Sequence, residues 1–188
     1  MKKAYVFMAN GFEDIEAIGT IDILRRGGVD VKTVSITGSN TVESAHGISI
    51  EADMMIEDGD FSDADALVLP GGLPGATNLN DHEGVRNALM IQAEKGKIVA
   101  AICAAPLVLG GLGLVNGKRA TCYPGFEKYL IGAEYTKEIC TVDGNVTTGD
   151  YDLVPLLEKF IQEHPDFSYH GARAVLGMTG YEGVFGYR

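Results

Sequence analysis

The sequence predicts an α/β protein, a three-layer sandwich around a mostly parallel sheet. Apolar runs of strand length alternate with stretches of helical periodicity along the chain. Several of those runs are continuously apolar, as strands covered on both faces must be. The runs hand over to helices at corners rich in glycine, proline and alanine, the pattern of strand-helix units in a parallel sheet.

Residues 4–9 (A-Y-V-F-M-A) read as the first strand. The opening M-K-K has the basic start of a secretory signal, but Asn10, Gly11, Glu13 and Asp14 interrupt the apolar core too early. Ile15, Ile18, Ile21 and Leu24 then recur at helical spacing, and Gly27-Gly28 stops that helix. Residues 29–36 (V-D-V-K-T-V-S-I) alternate with period two, a second strand, and 42–53 hold one or two short strands. A buried strand at 66–69 ends on Pro70-Gly71-Gly72. A helix over 83–95 stops at Gly96, a strand follows at 98–102, and a helix runs from Ala104 to about Leu112. Later strands are expected at 119–123 and 145–148, with an amphipathic helix over 151–163. No repeat or linker divides the chain, so residues 1–188 are expected to form a single domain.

Hydrophobic residues make up 46% and charged residues 22%, the balance of a soluble globular chain. A formal net charge of −11 opposes nonspecific binding to nucleic acid or anionic membranes. No apolar run approaches the ~20 residues needed to span a bilayer. Three cysteines, Cys103, Cys122 and Cys140, are odd in number and form no C-x-x-C. They suggest neither a disulfide framework nor a zinc knuckle, and they fit a reducing, cytoplasmic setting. His82 and His170 lack spaced partners, so no metal is expected.

The chemistry concentrates at I-V-A-A-I-C-A-A-P, residues 98–106. Cys103 directly follows a strand, and so falls on the carboxyl edge of the sheet where ligands collect. Ala101, Ala104 and Ala105 leave room for a sharp elbow of the nucleophile type, and Pro106 suits a first helical turn. A thiol facing a helix N-terminus is expected to have a lowered pKa. Cys122 and Cys140 read as small buried hydrophobes. Two further corners share that edge. After the first strand, Glu13 and Asp14 suit helix capping. Glu16 lies beside the apolar stripe; spacing reads it as a solvated helix carboxylate, and the functional alternative is a desolvated, protonated partner for the thiol. The third corner, L-P-G-G-L-P-G-A, lacks the Lys-Ser/Thr of a phosphate loop. Its Gly72 is either a plain turn residue or a backbone donor to an oxyanion.

Taken in order, G-F-E-D-I-E-A, L-V-L-P-G-G and A-A-I-C-A-A-P resemble the ThiJ/PfpI superfamily, in its small single-domain, Parkinson-associated deglycase branch. The resemblance runs from Met1 to about Gln162. It implies a flavodoxin-like sandwich, a homodimer, no cofactor and a small aldehyde substrate. By the resemblance Cys103 is the nucleophilic, oxidisable cysteine and Glu16 the carboxyl that bonds its sulfur. Gly72 and Ala104 supply backbone oxyanion donors, and Gly71 lines the pocket. His46, in S-A-H-G-I, matches a polar pocket residue that the partner subunit supplies. Departures limit the likeness. The protease-like branch has histidine after the cysteine, where this chain has Ala104. A histidine of T-x-H-P near the thiol is here Tyr123, in T-C-Y-P, a pocket residue that can donate a hydrogen bond but is a poor base near neutral pH. S-R-G-P-G-T is replaced by T-T-G-D-Y. Residues 180–188 lie beyond the resemblance and have no expected role.

The implied chemistry is glyoxalase or deglycase action on 2-oxoaldehydes or their early glycation adducts. Two alternatives stand beside it: an oxidation sensor or stress chaperone built on the same thiol, and an amidotransferase-type hydrolase. The last needs a late histidine-glutamate pair, which His164-Pro165-Asp166 echoes only faintly.

Overall fold

Alternate residues of the first strand point to opposite sides, and both sides are apolar. In β1 (Lys3–Met8), Ala4, Val6 and Met8 enter one core while Tyr5 and Phe7 enter the other. A strand so constituted has to be covered twice. The computed structural model, which describes residues 1–150, shows that arrangement. The helix expected at 151–163 and the tail at 180–188 lie outside the described residues.

After β1 come helix α1 (Asp14–Arg26) and strand β2 (Asp30–Ser35). A short hairpin, β3 (Thr41–Glu43) and β4 (Ser49–Glu51), precedes β5 (Met54–Met55). Then follow β6 (Ala66–Leu69), α2 (Gly75–Asp81), α3 (Glu83–Glu94), β7 (Ile98–Ile102) and α4 (Pro106–Gly111). The described part closes with β8 (Arg119–Ala120), β9 (Glu134–Tyr135), β10 (Cys140–Asp143) and β11 (Val146–Gly149). The main sheet has the order β10-β11-β7-β6-β1-β2-β5, and every neighbouring pair is parallel except β10 with β11. One face packs Leu79, Val85, Leu89, Val108 and Leu109 from α2, α3 and α4 against β1, β6 and β7. The other packs Ala17, Ile21 and Leu24 of α1, with Val42 of β3. Each fully buried aliphatic side chain among these contributes about 1.5–3 kcal/mol. This is the mostly parallel, flavodoxin-like sandwich that the sequence predicts.

Strands β7, β6 and β1 are neighbours, so their carboxyl ends bring the three predicted corners side by side. Local details differ from the sequence expectation. The buried face of α1 is Glu16, Ala17, Thr20, Ile21, Ile23 and Leu24, while Ile15 and Ile18 are exposed. A strict three-residue spacing drifts around a 3.6-residue helix, so the early isoleucines rotate away from the core. Of the strand expected at 119–123 only Arg119–Ala120 pairs, against β9. Helix α4 starts later than expected, at Pro106, because the elbow itself consumes Ala104 and Ala105. Helix α2 and strand β10 were not apparent in the periodicity.

Candidate active site

Cys103 has a φ of 63°. For an L-residue that left-handed conformation costs about 1–2 kcal/mol, and the surroundings hold it there. The Cys103 N–H donates to Gly149 O (2.9 Å), the Cys103 carbonyl accepts from Tyr123 N–H (2.8 Å), and Ala105 N–H donates to Ile102 O (3.0 Å). Ala101, Ala104 and Ala105 are all buried, so the corner admits only small neighbours. The expected elbow is present.

Glu16 is 4% exposed, which decides between its two sequence readings in favour of the desolvated carboxyl. The N–H of Gly71 donates to its Oε2 (2.9 Å), and the carboxyl and the Cys103 thiol are hydrogen-bonded to each other. Gly71 fits between them for want of a side chain: a Cβ there would stand 2.5 Å from Glu16 Oε2 and 2.7 Å from Cys103 Cβ. The sulfur is half-buried and receives the N–H groups of Ala104 and Gly72. Gly72, at φ 90°, takes a conformation that favours glycine. Five sequence-selected residues, Cys103, Glu16, Gly71, Gly72 and Ala104, thus converge.

Burial pushes the Glu16 carboxyl up to about 7, against the hydrogen bond from Cys103, with the charge of Glu13 adding to the rise. Burial also pushes the Cys103 thiol up to about 12, followed by the charge of Glu16 and the hydrogen bond to it. The Ala104 and Gly72 N–H groups pull the thiol the other way. This corrects the expectation of a thiol lowered by a helix dipole. α4 is only six residues long and begins beyond the elbow, and desolvation outweighs its partial charge. Two of the causes that raise the thiol depend on Glu16, and its charge is lost when Glu16 takes the proton. The two groups therefore titrate as one coupled pair.

The remaining selected residues lie further out. His46, its side chain 70% exposed, sits on the turn between β3 and β4 and pairs through Nδ1 with Asp14 Oδ2. Ser44 and then His46 hold Asp14 below the usual carboxylate range, and Asp14 in turn raises His46. Tyr123 adjoins the elbow through its backbone, and its half-exposed ring meets Phe126 edge-on, with centroids 6.3 Å apart. Cys122 and Cys140 are buried, and desolvation pushes Cys122 up to about 12. His82 caps α3, accepting from Val85 N–H. Among the described residues, Glu13, Asp14 and His46 could ligate a metal together, their ligand atoms lying within 4.8 Å of one another. The Asp14–His46 ion pair already accounts for the approach of two of them. His164 and His170 lie outside the described residues. Also among the described residues, no helix is long and apolar enough to cross a membrane.

Sequence reading assigned Glu13 to plain capping. It does cap α1, its Oε2 accepting from Glu16 N–H (2.8 Å), but its backbone also ties α1 to the glycine corner, where Glu13 N–H donates to Gly71 O (3.0 Å). The signal was its place three residues before Glu16.

Known proteins resemble this chain in sequence and in fold. The sequence profile of the DJ-1/PfpI family matches residues 2–163. A protein named a deglycase from Pyrococcus horikoshii is 33% identical over 165 residues, 85% of this chain and 98% of that one. Protein DJ-1 homolog B of Arabidopsis thaliana is 40% identical over 149 residues, covering 78% of this chain but 34% of its own length. The chain thus spans about a third of the length of that plant relative. Among solved structures, oxidized Toxoplasma gondii DJ-1 superposes with a TM-score of 0.89 at 28% identity, covering 97% of this chain and 100% of its own.

Proposed function

This chain belongs to the DJ-1/PfpI family, and from that premise we propose a cofactor-independent, cysteine-dependent enzyme acting on 2-oxoaldehydes or their early glycation adducts. The observation that carries the reading is the buried Glu16 carboxyl hydrogen-bonded to the Cys103 thiol at a strand-end elbow. The deglycase name of the Pyrococcus relative agrees with it.

Glu16, ionised, takes the thiol proton, and the thiolate sulfur forms a bond to the aldehyde carbon of a methylglyoxal-like substrate. The resulting alkoxide lies toward the N–H groups of Gly72 and Ala104 and takes the proton held by Glu16, which gives a hemithioacetal and returns Glu16 to its ionised form. Glu16 next removes the proton from the former aldehyde carbon, and an enediol forms. Return of a proton to the adjacent carbon leaves a thioester: the aldehyde carbon has been oxidised and the ketone carbon reduced within one molecule. Water then attacks the thioester, the C–S bond breaks, and lactate leaves with the thiol regenerated. No outside oxidant or reductant enters. Because Glu16 must start ionised and burial pushes it up to about 7, turnover rises with pH through about 7. Cys103→Ser and Glu16→Ala each abolish lactate formation from methylglyoxal. Wild-type turnover in either variant removes the proposal.

A second reading is an oxidation sensor or stress chaperone. It is favoured by the two N–H groups at the sulfur and by a carboxyl able to donate to it, which together would hold a sulfinate. Mild peroxide should then add two oxygens at Cys103, read by intact mass, and the sensor reading gains only if lactate formation is absent. The amidotransferase-type hydrolase has no such supporting observation. For assembly we infer a homodimer, with exposed Ile15, Ile18 and Ile48 as its apolar surface and His46 beside the partner's pocket. A single-chain mass by light scattering would remove that inference. Three cysteines outside any disulfide suit a cytoplasmic setting.

A further inference from the structure

We propose that Glu13 is a positioning residue for the Cys103–Glu16 pair: it closes a ring of hydrogen bonds that fixes the Glu16 carboxyl and sets a second acid beside it. The inference rests on the reading above, in which Glu16 exchanges a proton with Cys103.

The ring has three links. Glu16 N–H donates to Glu13 Oε2 (2.8 Å), Glu13 N–H donates to Gly71 O (3.0 Å), and Gly71 N–H donates to Glu16 Oε2 (2.9 Å). A capping residue needs only the first link. The other two run through the glycine corner after β6, so the start of α1 cannot shift without moving the donor on which the Glu16 carboxyl rests. Ala17 N–H, donating to Glu13 O (3.1 Å), locks the same residue to the first turn. The Asp14–His46 pair anchors that turn to the β3–β4 hairpin.

The charge acts beside the geometry. Among the described residues, the ionisable groups that bear on Glu16 are Cys103, from the elbow after β7, and Glu13. Gly71, from the corner after β6, offers only an N–H. Asp14 and His46 stand one step outward as a mutually compensated pair. Glu13 is half-buried and its carboxylate is committed to the Glu16 N–H, so a second negative charge on Glu16 is disfavoured at close range. That charge adds to burial in raising the pH at which the pair loses its first proton.

The test is the rate of Cys103 alkylation by iodoacetamide against pH, in the full chain, for wild type, Glu13→Gln, Glu13→Ala and Glu16→Gln. Glutamine keeps an acceptor for Glu16 N–H and removes only the charge. The acid limb in Glu13→Gln is expected about half a pH unit below wild type, with the melting temperature unchanged. Glu13→Ala should show a shift in the same direction and melt lower, because the cap is lost as well. A profile that moves in Glu16→Gln but coincides with wild type in Glu13→Gln overturns the role of Glu13 and leaves it a helix cap. A profile unmoved even by Glu16→Gln overturns this inference together with the proton exchange on which it rests. If the alanine variant does not fold, the glutamine variant decides alone.

Discussion

An added methyl at Gly71 would stand 2.5 Å from Glu16 Oε2 and 2.7 Å from Cys103 Cβ, both held by neighbouring backbone. Neither can retreat freely, so Gly71→Ala has to spread the pair. A displacement near 1 Å in a reacting constellation costs on the order of 100-fold in rate. Gly71→Ala is therefore expected to lower kcat for lactate formation by at least about 10-fold while keeping a folded circular-dichroism spectrum, and an unchanged kcat would show that the contact relaxes harmlessly. Glycine at this position is legible in P-G-G as a turn. Its second duty, leaving space between two reactive side chains, is not, because those side chains come from residues 55 and 32 positions away along the chain.

The elements that form by local preference were the easiest to read. β7 is five apolar residues bounded by a lysine and the elbow, and sequence and structure agree on Ile98–Ile102. α3 agrees to within a residue, because Val85, Leu89 and Gln92 recur on one helical face and Gly96 ends the pattern. α2 was missed for a physical reason. Its sequence G-A-T-N-L-N-D has weak helix formers, no side-chain cap, and buries only Gly75, Ala76 and Leu79. Packing holds it, not propensity. At this scale Leu89→Ala should cost about 2–5 kcal/mol in denaturant unfolding, since Leu89 is fully buried where α3 meets the sheet. The acid limb of Cys103 alkylation should stay in place in the folded variant. A loss below about 0.5 kcal/mol would mean that the α3 layer collapses into the vacated space.

For the molecule as a whole, the buried carboxyl carries a stability cost that depends on pH. Glu16 is raised from 4.5 to about 7 on folding, so the native state binds its proton more tightly than the unfolded chain. This contribution favours the fold fully below about pH 4.5 and is lost as pH rises through about 7. Glu16→Gln removes that dependence. The difference in melting temperature between the variant and wild type should move in favour of the variant from pH 5 to pH 8, as read by thermal denaturation across that range. A difference that stays constant would show that Glu16 titrates alike in both states.

The sequence by itself determined the class of fold and the sheet-edge location of the cysteine, because buried strands and tight corners are written in composition and spacing. The residues around that cysteine were named by the family resemblance, while spacing alone left Glu16 a solvated carboxylate. Only the tertiary structure decided the protonation of the pair. Ile15 and Ile18 turn outward and Glu16 turns inward because packing sets the rotation of α1. The thiol stands raised rather than lowered because desolvation by surrounding elements exceeds the pull of one short helix. Such fields are sums over groups distant in the chain, and no local stretch of sequence contains them.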